Sequence, residues 1–206
     1  LRASEGFNNL HIMLPLITDL GEVDESTRMI KTVYKELKDE GLEIVMPKIG
    51  IMVEVPSAVY EAYHLAQRVD FLSVGSNDLT QYILAVDRNN SHVANLYDSL
   101  HPAVLKALKQ VVEGAHQDGK TVSICGEMSG DPAAAILLIA MGFDMLSVNA
   151  PVLPRIKWVI RKFKMNEARK ILSEVLTMNS SSEIRRHLDF VLEEAGLGGL
   201  IRAGRH

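Results

Sequence analysis

Asp70-Phe-Leu-Ser-Val-Gly-Ser-Asn-Asp-Leu-Thr-Gln-Tyr-Ile-Leu-Ala-Val-Asp-Arg88 is the stretch on which the reading of this chain turns. The apolar run Phe71 to Val74 predicts a short strand that runs out into Gly75-Ser76-Asn77-Asp78, with a helical turn and then Arg88 beyond it. Gly75 permits a sharp turn or a close backbone approach. Asn77 offers an amide, Asp78 a carboxylate, and Arg88 a guanidinium suited to phosphate or carboxylate. An amide, a carboxylate and an anion clamp just past a strand end point to a metal-assisted site for an anionic substrate. The plainer alternative is a helix cap, with Asp78 capping the helix that follows.

Two further segments share the phase of this one. Gly50-Ile-Met-Val-Glu54-Val-Pro56 reads as a strand ending on a carboxylate, and Thr121-Val-Ser-Ile-Cys125-Gly-Glu127 as a strand ending on the only cysteine. In a parallel α/β protein the carboxyl ends of the strands lie on one face, where active sites form. Each residue also has an unreactive reading. Glu54 fits a helix N-terminal charge before Pro56, Cys125 an inert buried cysteine, and Arg88 a solvent-facing loop arginine.

Working outward, the pattern alternates strand and helix. Strands are expected at His11–Leu14, Gly50–Glu54, Phe71–Val74, Thr121–Cys125 and Met145–Val148, apolar on both sides of the pleat as in buried parallel strands. Helices are expected at Glu22–Glu40, Ser57–Gln67, Pro102–Gln117, Pro132–Met141, Pro151–Lys162, Asn166–Thr177 and Ser182–Glu194, several of them opened by proline and stopped by glycine. The polar connection 85–101 is long enough to be an active-site loop. Successive βα units predict an α/β protein of (β/α)8 TIM type, present as a C-terminal portion of about five units plus C-terminal helices. Residues 1–164 would form the partial barrel and 165–206 a helical extension packed on it. A doubly wound open sheet ranks lower, because no Gly-rich nucleotide fingerprint follows the first strand.

The 206 residues, 47% of them hydrophobic, suffice for one sizeable core. The net charge of −4 is uneven: residues 1–154 hold 11 basic and 20 acidic residues, and residues 155–206 hold 11 and 6. The basic charges of the second part are interspersed with acidic ones along helical segments, so they read as solvated helix faces. One Trp and five Phe give no stacking platform for nucleic acid. The longest apolar run, Ala133 to Phe143, is too short to span a bilayer. A single cysteine fits a reducing, cytoplasmic compartment. The opening Leu1-Arg-Ala-Ser, without an initiator Met, reads as the start of a fragment.

The 70–88 run, with Gly50-Ile-Met-Val-Glu54 and Cys125-Gly-Glu127, resembles the C-terminal PEP-binding domain of the phosphoenolpyruvate-utilising enzymes. It looks most like the enzyme I branch, the phosphoenolpyruvate–protein phosphotransferases of the bacterial phosphotransferase system. The tail Gly196-Leu-Gly-Gly-Leu-Ile201 is similar to the nitrogen-related members. The resemblance implies a transferase that moves the phosphoryl group of phosphoenolpyruvate to a histidine on another domain, releases pyruvate and passes the phosphate to a phosphocarrier protein. It assigns Mg²⁺, or Mn²⁺ in its place, to Glu54 and Asp78. It assigns substrate contacts to Asn77 and Arg88, and delivery of a proton to C3 of the enolate to Cys125. Glu127 receives no role.

The resemblance also implies a homodimer, further substrate-binding arginines on barrel strands preceding Leu1, and an acceptor histidine elsewhere. None of His11, His64, His92, His101, His116, His187 and His206 sits in a motif resembling that acceptor. The chain alone is therefore expected not to turn over phosphoenolpyruvate. Pyruvate phosphate dikinase and phosphoenolpyruvate synthase share these motifs, and a non-catalytic dimerisation or regulatory module is the reading from another class.

Overall fold

A computed structural model describes residues 1–202; His206 and its three predecessors lie outside the described residues. Five strands, β1 (His11–Leu14), β2 (Lys48–Val53), β3 (Phe71–Gly75), β4 (Thr121–Cys125) and β5 (Met145–Leu146), form one sheet in the order β1-β2-β3-β4-β5. Every pairing is parallel. Sequential order with parallel strands is the arrangement of a (β/α) barrel wall. A doubly wound sheet would reverse direction at a switch point, and this one does not.

The helices lie between and after the strands: α1 (Leu20–Asp39), α2 (Pro56–Tyr60), α3 (Ala62–Ala66), α4 (Ser76–Leu84), α5 (Pro102–Gln117), α6 (Pro132–Met141), α7 (Leu153–Lys162), α8 (Met165–Val175), α9 (Ser181–Glu194) and α10 (Gly198–Arg202). Their ends follow local chemistry. Asp19 and Glu22 form a capping box at the start of α1. Asp131 accepts from the Ala133 N–H ahead of Pro132, and Gly142 closes α6 at φ +101°. The helix expected at Ser57–Gln67 is two short ones, broken at Glu61. Helix α9 starts at Ser181, one residue earlier than expected, with Ser180 as its cap.

The strands are apolar on one face only, which corrects the expectation of two apolar faces. Ile51, Val53, Leu72, Val74, Val122 and Ile124 are buried against the helices. The other face carries His11, Met13, Lys48, Met52, Phe71, Ser73, Thr121 and Ser123, and most of these are partly or fully exposed. Lateral pairing keeps the faces separate, since Val53 pairs Val74 and Val74 pairs Ile124, whereas Met52 pairs Ser73 and Ser73 pairs Ser123. On the open face the Phe71 ring lies over Gly50, where a Cβ would sit 2.3 Å from it, and tilts against His11 at 5.6 Å between centroids.

Helix α6 is the one element that is apolar all round, and eight of its ten residues are buried. It is enclosed because α7, α8 and α9 pack on it from outside. At the amino ends of two strands the same device recurs. Asp70 donates its N–H to the Ile49 carbonyl (2.7 Å) and accepts the Ile49 N–H on its carboxylate (2.8 Å). Asp144 does the same with Val122, at 2.9 and 2.8 Å. Each aspartate thus holds the strand it precedes in register with the preceding neighbour, satisfying a backbone donor that burial would otherwise leave costly. No described helix is long and apolar enough to cross a membrane.

Candidate active site

The residues singled out by sequence converge at the carboxyl end of the sheet. Glu54 directly follows β2 and is only 7% exposed. Its Oε1 accepts the N–H of Leu16 (2.9 Å), in the loop after β1, where Leu16 takes φ +52°. The other oxygen, Oε2, leans over Gly75, and a Cβ on Gly75 would lie 2.7 Å from it. Gly75 in turn pairs with Cys125. The carboxylate on one side and the thiol on the other therefore flank the one position in β3 that has no side chain.

Beyond Gly75 the chain turns straight into α4. Gly75 holds the N-cap position and makes no side-chain cap; Asp78 lies in the first turn. Asp78 is therefore not the helix cap of the plainer reading. Its charge is favoured by the helix N-terminus, and its Oδ1 pairs with the Arg88 guanidinium at 3.4 Å. Arg88 follows the helix, with its backbone N–H donated to Gln81 Oε1 (3.2 Å). Asn77 Oδ1 accepts the Glu127 N–H (3.0 Å). That bond fixes the amide orientation, because only the oxygen can accept, and Nδ2 is left as the outward donor.

The turn after β4 is clasped to α4. Ser76, 1% exposed, donates its hydroxyl to the Cys125 carbonyl at 2.7 Å. Gly126 takes φ +99°, and a Cβ there would lie 2.3 Å from Ser76 Oγ and 2.8 Å from Asn77 Oδ1, so only glycine fits. Ser129, fully buried, lies within hydrogen-bond reach of the carbonyls of Gly126 (2.7 Å) and Ser147 (2.5 Å). The Cys125 thiol lies 3.5 Å from the Val74 carbonyl. Burial pushes its pKa above the usual thiol value, and the negative charges of Glu54 and Asp78 push it the same way. At neutral pH these influences favour the protonated thiol over the thiolate.

A cavity of about 560 Å³ opens beside these groups, lined by Asn77, Cys125, Gly126, Glu127, Ser147 and Asn149 among others. Glu127 is exposed at its mouth. Among the described residues no group of three or more His, Cys, Asp and Glu is placed to hold a metal. Two carboxylates of hard oxygen donors are the protein contribution Mg²⁺ ordinarily needs, with substrate oxygens and water filling its octahedron. Sequence reasoning missed Tyr97, in the 85–101 connection, whose hydroxyl donates to the Asn77 carbonyl (3.3 Å). Nothing around a lone tyrosine in a polar loop signals such a contact. It also left unweighed Ser76, which reads as loop but is the hinge of the clasp.

Fold and site together define a class: a (β/α)-barrel domain whose strand ends carry a buried carboxylate, a second carboxylate paired with arginine, and a thiol on the neighbouring strand. Comparison with known proteins narrows it. Residues 1–165 match the family of the PEP-utilising enzyme, PEP-binding domain. The chain is 48% identical over 205 residues to the "Phosphoenolpyruvate-dependent phosphotransferase system" protein of Escherichia coli K12, covering 99% of this chain and 27% of that protein. It is 42% identical over 197 residues to the phosphoenolpyruvate-protein phosphotransferase of Haemophilus influenzae, covering 95% of this chain and 34% of that protein. The chain thus spans between a quarter and about a third of these relatives. A citrate lyase of Burkholderia xenovorans LB400 shares the fold, with a TM-score of 0.53 at 17% identity over 90% of this chain and 64% of that one. The chain belongs to the family of PEP-binding domains of the PEP-utilising enzymes.

Proposed function

We propose that this chain binds phosphoenolpyruvate at the carboxyl end of its sheet and serves a phosphotransferase that passes the phosphoryl group to a histidine and releases pyruvate. The single observation that carries the reading is the flanking of Gly75 by Glu54 and Cys125. It supports a metal-binding role for the carboxylate and a proton-donor role for the thiol, carried on the two strands that flank Gly75. Enzyme I is the reading favoured over dikinase and synthase by the two relatives named above. In this reading residues 1–164 form the barrel portion and 165–206 the helical extension, the last four of which lie outside the described residues. The single cysteine supports a reducing, cytoplasmic setting. A homodimer and a phosphocarrier partner follow from the enzyme I reading.

Glu54 and Asp78 would hold Mg²⁺, or Mn²⁺ in its place, and their oxygen donors fit it. The ion, when bound, neutralises phosphate and enolate charge. Asn77 directs its Nδ2 donors at a phosphate oxygen. Arg88 moves from Asp78 to the phosphate or carboxylate of the substrate, a geometry its planar fork matches. When the bridging P–O bond breaks, the phosphoryl group goes to the acceptor nitrogen and the electron pair stays on the enol oxygen. Cys125 then gives its proton to C3, the C2=O bond forms, and pyruvate leaves. The thiolate regains a proton from water.

The test uses the polypeptide from its complete reading frame with Mg²⁺, phosphoenolpyruvate and a phosphocarrier protein. Pyruvate should form, and Glu54→Ala should abolish it. No pyruvate from the unaltered protein, under conditions where an authentic enzyme I works, would sink the reading.

A further inference from the structure

We infer that Ser76 is a positioning residue for the Cys125 thiol, locking the strand end that carries it to the helix turn that carries Asn77 and Asp78; the inference rests on the phosphoenolpyruvate reading above. Gly75 and Cys125 are the last paired residues of β3 and β4. One residue later the first strand has become α4, and the second has turned at Gly126, where φ is +99°. The β3–β4 ladder therefore stops at the residue whose side chain must be placed.

The Ser76 hydroxyl carries the attachment one step further, donating to the Cys125 carbonyl at 2.7 Å. Ser76 is 1% exposed, so its hydroxyl has no solvent to turn to instead. The next residue repeats the tie: Asn77 Oδ1 accepts the Glu127 N–H at 3.0 Å. Between these two bonds Gly126 lies so close that a Cβ on it would stand 2.3 Å from Ser76 Oγ. Ser76, Asn77 and Asp78 are the first three residues of α4 and move as one turn. The proton donor is thereby held at a fixed offset from the amide and the carboxylate that would meet substrate and metal. Ser76 grips the backbone of Cys125 and not its sulfur, so the thiol keeps its proton to give. Proton delivery to carbon depends on such placement, since a displacement of ~1 Å costs about a hundredfold in rate.

Ser76→Ala removes the hydroxyl and adds no bulk. In the polypeptide from its complete reading frame with Mg²⁺, the thiol's step is read alone as hydrogen–deuterium exchange at C3 of pyruvate in D2O, followed by proton NMR. The thiolate takes a C3 proton, the thiol exchanges it with solvent, and deuterium returns to C3 of the enolate. Ser76→Ala should slow this exchange about tenfold to a hundredfold. KM for phosphoenolpyruvate should stay within about twofold, a split that places the loss after binding. Ser76→Thr, which keeps the donor, should exchange faster than Ser76→Ala. Beside Cys125→Ala, the Ser76→Ala substitution should not slow residual pyruvate formation further, because no thiol is left to position. Unchanged exchange in Ser76→Ala would overturn the inference, as would a threonine variant no better than the alanine one. So would an undiminished Ser76→Ala effect beside Cys125→Ala, which would mean that the hydroxyl only keeps the turn folded. Failure of the unaltered protein to form pyruvate would sink the phosphoenolpyruvate reading itself, whereas normal pyruvate formation with unchanged exchange in Ser76→Ala would sink this inference alone.

Discussion

Glu54 and Cys125 approach Gly75 from its two neighbouring strands, and the hydrogen in place of a side chain is what lets the carboxylate lie between them. The contact is close: Glu54 Oε2 would stand 2.7 Å from a Cβ at position 75, with Glu54 Cβ at 3.1 Å and Met52 Sδ at 3.2 Å. A site built in this way depends on a residue that contributes no functional group.

Gly75→Ala is therefore expected to expel the Glu54 carboxylate and weaken Mn²⁺ binding at least tenfold on an order-of-magnitude scale, while leaving the fold intact. The backbone at Gly75 is at φ −84°, which alanine adopts without strain. Water-proton relaxation with Mn²⁺ measures the affinity and far-ultraviolet circular dichroism the fold. Unchanged Mn²⁺ affinity would show that Glu54 Oε2 is not a ligand.

The charge of Glu54 also acts on the thiol. Because burial, Glu54 and Asp78 all raise the Cys125 pKa, the thiolate fraction at pH 8 should be smaller than for a free cysteine, and alkylation by iodoacetamide slower. Glu54→Gln removes a negative charge, so the pKa falls, the thiolate fraction rises, and alkylation at pH 8 should accelerate several-fold. In the proposed reaction the same shift would keep the thiol protonated as pH rises, and proton delivery should fade only as pH passes above the raised thiol value. A slower reaction in Glu54→Gln would reverse the assigned sign.

Cys125→Ala should slow pyruvate formation by about two to four orders of magnitude, the range of general acid contributions, and leave phosphoenolpyruvate binding largely intact. Titration of binding against single-turnover pyruvate release separates the two. Lost binding with normal turnover of whatever substrate binds would remove Cys125 from the proton path.

Asp70→Ala and Asp144→Ala should each destabilise the fold by roughly 1–3 kcal/mol, since each strands a backbone N–H in the sheet. Urea midpoints measure this, and the metal affinity of the folded protein should not move. A substitution that lowered metal affinity without shifting the midpoint would contradict the assignment of these residues to register.

Much of this was legible in the chain itself, for identifiable reasons. Strands β1 and β4 and helices α5 and α6 match their expected bounds, because proline openings, glycine stops and unbroken apolar runs mark them. The common end of Glu54, Asp78 and Cys125 was legible because parallel strands share a direction. What could not be read were the contacts between segments distant in sequence. The Ser76 hydroxyl meets a carbonyl 49 residues on, the Asn77 amide a backbone N–H 50 residues on, and Tyr97 a carbonyl 20 residues back. Periodicity carries no record of such pairings. The polar inner face escaped for a different reason: in strands of four to six residues, Ser73 and Ser123 look like tolerated exceptions in an apolar run.

Asp70 and Asp144 sit at the rim opposite Glu54 and Cys125, where the strands begin. Alignment and reactivity are thereby assigned to separate rims of one wall. On the proposed reading, a residue exchanged at the carboxyl-end rim alters recognition without letting one strand slide past the next. For protein engineering this makes the loops after β2, β3 and β4 the places to retune selectivity, with the aspartates left untouched as anchors.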